Sequence, residues 1–174
     1  MNPAFIGNAG FPHLSYLCSV MEGFLDILNR QDIFRRLNEL KPDTVPAFGR
    51  MSAQHMVEHL VFIVSISNGK LPHKVFYSDE KAAKIKAYTI HSDKEIIVGF
   101  RAPMLPDRPL PLLFSDLDEA IDQLRAELSD FDQFFMNYPE ASPTNPTMGP
   151  LNFDEWIIFH NKHFTHHFKQ FHLS

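Results

Sequence analysis

Apolar residues recur at three- and four-residue intervals in four stretches of the chain, and each stretch is bounded by residues that start or stop helices. The first predicted helix covers roughly Ser19 to Leu40, with Phe24, Leu28, Phe34, Leu37 and Leu40 on its apolar side. It is interrupted near Asn29 to Asp32 and stops before Pro42. The second opens with Ser52 as N-cap and runs through Met56, Leu60, Ile63 and Val64 to Asn68, where Gly69 suits the left-handed residue after a helix. The third begins at Ser115-Asp-Leu-Asp118, read as a capping box, and carries Leu117, Ile121, Leu124, Leu128, Phe131 and Phe135 up to Pro139. The fourth takes Asn152 as N-cap, with Asp154 and Glu155 in the first turn and Leu151 and Trp156 placed as a hydrophobic staple. It continues to about Phe171.

Between the second and third helices lies the connection Lys70 to Phe114. It predicts a short helix near Glu80 to Tyr88, an extended run Glu95 to Phe100, and a proline-rich stretch with Pro103, Pro106, Pro109 and Pro111. The pattern predicts an all-α fold, a four-helix bundle with one long crossover between helices 2 and 3. Connections of this length are often functional or cover an opening. Residues 1–20, punctuated by Pro3, Pro12 and two glycines, read as an N-terminal extension, and residues 21–174 as one domain.

Composition narrows the function. A formal charge of −5 argues against a general nucleic-acid binder, because phosphate affinity rests on clustered Lys and Arg. The single cysteine, Cys18, fits a reducing compartment, and nothing near it in sequence would lower its pKa and make it a nucleophile. Met1 to His13 lacks a positive start and an apolar run, and no stretch of about 18 apolar residues is present. The expectation is a cytoplasmic protein without a membrane partner.

Ten histidines are present, and four of them form i, i+4 pairs: His55 with His59 in the second helix, and His163 with His167 in the fourth. Positions four apart lie within about 40° of each other around a helix, so each pair projects two imidazoles from one face. Any single histidine is ordinarily solvated or satisfied in a core. Two pairs on separate helices point to a metal, because facing helices of a bundle are a recurrent place for metal ligands. The spacing leaves open which three of the four would bind. His160, Trp156 and Gln170 fall on the same stripe as His163 and His167, and His166 lies at its edge. Neither pair has the H-E-x-x-H form of zinc proteases, since Glu58 directly precedes His59.

The segment Ser52-Ala-Gln-His-Met-Val-Glu-His-Leu60, followed near the C-terminus by His163-x-x-x-His167-x-x-Gln170, resembles the DinB-like superfamily of metalloproteins. Arg36 to Met51 and Trp156 to Phe171 look closer still to a branch of unknown function. The resemblance covers residues 30–172. It implies a bundle in which His59, the histidine of the His-Leu step, joins His163 and His167 on a divalent ion, with His55 a neighbour rather than a ligand. Relatives include transferases that use low-molecular-weight thiols, and some hydrolases or isomerases.

Three neutral imidazoles leave open positions on an ion, the mark of a catalytic rather than a structural site. The expected function is therefore a metal-dependent transferase or hydrolase of a small molecule, in which zinc or nickel activates water or a thiol. His160 or His55 is expected to serve as base, and Gln170 to orient a ligand or bound water. Two alternatives stand beside it: a non-catalytic bundle that binds a metal or small ligand, and a domain whose role is association, as in a homodimer.

Overall fold

The computed structural model describes residues 23–100, 103 and 110–173. Cys18, Pro106, Pro109, the extension at residues 1–20 and the start of the first predicted helix lie outside the described residues. The described chain is predominantly helical. Its elements are α1 (Arg30–Leu37), α2 (Ala53–Ser67), α3 (Asp79–Thr89), α4 (Leu117–Asn137), β1 (Thr144–Asn145), β2 (Gly149–Pro150) and α5 (Phe153–Gln170).

The first helix is shorter than its apolar pattern suggested. Asn29 caps α1 by accepting from the Asp32 N–H, and residues 23–29 before it are turns and irregular chain. Here the backbone is claimed by α5: Leu25 N donates to Thr165 Oγ1 and Ile27 N to Asn161 Oδ1, each at 2.8 Å. Amides satisfied in this way do not enter a helical ladder. The apolar residues still serve the core, with Ile27 fully buried.

Helix α2 starts at Ser52, whose hydroxyl accepts from the His55 N–H, and ends at Asn68 with Gly69 at φ +78°. Met56, Val57, Leu60 and Val64 are all fully buried, so α2 is covered on most of its circumference. It packs most extensively along α4. The start of α4 differs by one residue from expectation. Asp116 is the N-cap, and Glu119 reaches back to accept from both the backbone and the hydroxyl of Ser115, which Asp118 is one methylene too short to do. Helix α5 starts at the expected N-cap, and the cap is a full capping box, with Asn152 accepting from Glu155 N at 3.0 Å and Glu155 accepting from Asn152 N at 3.1 Å. Leu151 and Trp156, the expected staple, are both fully buried.

The crossover carries α3 as expected, capped by Ser78. The run Glu95 to Phe100 forms no strand; it is irregular chain closing in a turn at Gly99, φ +84°, with Phe100 N bonded to Ile97 O. Strand geometry needs a partner ladder, and no described residue supplies one. The far end of the crossover is fastened by Glu58 of α2, whose carboxylate accepts from Leu113 N at 2.9 Å and Phe114 N at 3.2 Å. A short antiparallel hairpin, with Thr144 opposite Pro150 and Asn145 opposite Gly149, was not anticipated and leads directly into α5. Among the described residues no helix is long and apolar enough to cross a membrane.

Candidate metal centre

Helices α2 and α5 bring His59, His163 and His167 together. Nε2 of His163 lies 3.0 Å from Nε2 of His59 and 3.1 Å from Nε2 of His167. The ring centroids stand 4.9, 4.9 and 4.6 Å apart, and the planes meet at 68–83°, so the three rings turn their edges toward a common point. Ligand nitrogens of all three lie within 4.8 Å of one another. Two donors about 2.1 Å from one ion and at right angles to each other would be about 3.0 Å apart, so the observed separations suit a shared ion. This group could hold a metal ion.

The protonation states agree. Burial, reinforced by the neighbouring imidazoles, holds His163 well below the usual histidine range. Burial and then His59 do the same to His167, against the opposing hydrogen bond from Gln170. His59 is only partly exposed, and burial of its ring followed by the charge of His166 lowers its pKa to about 4. Three neutral imidazoles are therefore presented near pH 7, the form that binds metals.

A second set of contacts fixes these rings. Gln170 donates from Nε2 to Phe48 O at 2.8 Å, which leaves its Oε1 to accept from His167 Nδ1, also at 2.8 Å. His167 must then carry its proton on Nδ1, and its Nε2 lone pair faces the other two rings. Ala47 N donates to Gln170 O at 2.8 Å and ties the same loop to the end of α5. Gly49, at φ +81°, completes the fit, since a Cβ there would come 2.7 Å from Gln170 Nε2. The ring of His163 stacks on Phe159 at 5.2 Å, and its buried Nδ1 has no hydrogen-bond partner among the described residues.

The triad lies at one side of a cavity of about 340 Å³. Its walls are mostly apolar, with Ile63 and Ile66 from α2, Ile85 from α3, and Trp156 and Phe159 from α5. Lys81, Asn145 and His166 also line it. The His166 ring lies 5.1 Å from both the Phe48 and the His167 rings, and burial lowers its pKa against an opposing hydrogen bond with the Ile96 backbone.

His160 and His55 are not brought to the triad. His160 is fully buried, stacked on Trp156 and set edge-on to Phe131 and Phe164, with Nε2 2.8 Å from Ser67 Oγ. Angular proximity to His163 misled here: His160 lies about 4.5 Å further back along the helix axis. That rise places it opposite the C-terminal end of α2, where it fills core. His55 folds onto its own helix start. Its Nδ1 is 2.7 Å from Ser52 Oγ and its Nε2 3.0 Å from Leu110 O, which can only accept, so Nε2 carries the proton. Neither residue lines the cavity.

Sequence reasoning gave no role to Asn145 or Lys81. Asn145 sits in the unanticipated hairpin, and Lys81 lies on the solvent side of the short helix as the sequence shows it. His166 was visible at the edge of the histidine stripe, and only the placement of Phe48 and Ile96 brings it to the cavity. Compared with known proteins, the chain matches no family model, no curated protein and no solved structure.

Proposed function

We propose that this chain is a metal-dependent enzyme of the DinB-like kind, in which His59, His163 and His167 hold one divalent ion, zinc or nickel, for transfer to or hydrolysis of a small molecule. The observation that carries this reading is the approach of three neutral imidazoles, at 3.0 and 3.1 Å between Nε2 atoms, beside an apolar cavity. When bound, the ion supplies an open position and lowers the pKa of a water or thiol toward neutrality. The chain does the rest. Gln170 keeps the His167 lone pair aimed at the site, and the apolar walls keep bulk water from a reacting group. His166, rather than His160 or His55, is the imidazole placed to take a proton from a molecule in the cavity.

The test uses cobalt-substituted protein. Adding a low-molecular-weight thiol should change its visible spectrum, and the change should saturate and grow with pH as the thiol ionises. Metal uptake without such a response would leave a closed structural site. A second reading, a binding module without turnover, is favoured by the apolar walls, and a spectral response with no turnover of any thiol-accepting electrophile would select it.

A further inference from the structure

Asn145 is 3% exposed, yet it lines the cavity beside the triad. Its Oδ1 accepts from Thr147 N and from Thr147 Oγ1, both at 2.9 Å, within the hairpin turn. A backbone N–H can only donate, so these bonds fix which end of the amide is oxygen. Nδ2 is the free end, and among the described residues nothing accepts from it. Nδ2 is not one of the fully enclosed unpaired side-chain atoms, so it keeps accessible surface where Asn145 lines the cavity, and an amide donor at a cavity wall is a place for a ligand's acceptor. Lys81 lines the same cavity, with no carboxylate partner among the described residues; its ammonium rests 3.7 Å from the Tyr77 ring centroid. Most of the remaining wall, including Ile63, Ile85, Met148 and Trp156, is apolar, although Lys84, Thr89, Thr147 and the histidines also line it.

We propose that the cavity takes a compact apolar molecule bearing a carbonyl-type oxygen, and that the Asn145 amide receives that oxygen. The inference rests on the reading of this cavity as the ligand site of the metal centre, but it does not require the ion. The volume of about 340 Å³ is near the lower end of the roughly 300–1,000 Å³ of small-molecule pockets, which suits one or two rings or a short chain.

The probes are acetophenone and ethylbenzene, which share ring and size and differ by a carbonyl in place of a methylene. Binding to the full chain is followed by ligand-observed NMR and by the emission of Trp156, the only tryptophan, which lines the cavity. Asn145→Asp keeps an oxygen for Thr147 while removing the amide donor, and Asn145→Leu removes both. Each should weaken acetophenone about tenfold, the worth of one hydrogen bond, and leave ethylbenzene within about twofold. In the wild-type chain, acetophenone but not ethylbenzene should shift the Asn145 side-chain amide protons, a readout that needs no variant. Equal weakening of both probes, or no amide shift, would overturn the inference. Metal content of the same samples separates the two readings. Ketone selectivity absent with metal retained overturns this inference alone, and selectivity intact without metal supports it while removing the metal reading.

Discussion

Oε1 of Gln170 lies 2.8 Å from Nδ1 of His167, one turn further along α5, while the other end of the same amide is fastened to Phe48 O. One side chain thus sets the tautomer of a candidate metal ligand and joins the end of α5 to the loop before α2. Groups that orient a ligand in this way are typically worth about 10–100-fold in metal affinity. Gln170→Leu should therefore weaken zinc binding by that factor without abolishing it, as competition with a chromophoric chelator would show. Gly49→Ala should reproduce part of the loss, because the added Cβ meets Gln170 Nε2 at 2.7 Å and φ +81° disfavours alanine. Unchanged affinity in both variants would mean that His167 is positioned without Gln170.

His59→Ala and His163→Ala should each remove most of the bound metal, whereas His172→Ala should not. His172 is exposed, at the end of α5 with φ +60°, and contributes no nitrogen to the triad. Elemental analysis of the three variants checks this. Equal retention in all three would point to non-specific chelation by the histidine-dense tail. Folding should survive each change, because a core containing Leu124, Phe131, Phe164 and Phe168 at full burial does not depend on an ion.

The pairing of His163 with His167 was legible in the sequence because a helix converts i, i+4 spacing into a shared face, and because Asn152 fixes where α5 begins; the same spacing could not tell His59 from His55, and only the family resemblance chose His59. The same periodicity misplaced His160, since angle around a helix carries no information about which neighbour stands opposite at each height. The first helix was overlong because apolar residues at helical spacing also satisfy an irregular segment whose amides are taken by Asn161 and Thr165. The cavity was beyond reach altogether. Its walls come from α2, α3, the crossover, the hairpin and α5, and no local pattern states how those pieces meet.

Acid should destabilise the protein through His160. Burial, with a smaller contribution from Arg30, lowers its pKa from 6.5 to about 3. The unfolded chain takes up a proton that the folded chain refuses, so the stabilisation is complete above pH 6.5 and is lost as pH falls toward 3. The slope from this one group approaches about 1.4 kcal/mol per pH unit within that window. His59, lowered to about 4, acts in the same direction. Urea unfolding of chelator-treated protein at pH 7, 6 and 5 should show the decline, and His160→Gln should make it shallower. An identical slope in the variant would contradict the assignment.

The cap of α5 should carry measurable stability of its own. Asn152→Ala removes the acceptor for Glu155 N and half of the reciprocal box, a change worth about 1 kcal/mol, or about 2–4 °C in Tm for a domain of this size. Calorimetry gives the value, and no shift would mean that tertiary packing alone holds the start of α5.

His59, His163 and His167 are proposed to bind one divalent ion together. The most direct measurement is the metal-to-protein ratio of untagged protein after exhaustive dialysis, compared with His163→Ala treated in the same way. About one zinc or nickel per chain is expected in the wild type and nearly none in the variant, with both proteins folded. A wild type without bound metal, or a variant that retains it, would rule out a shared three-histidine site.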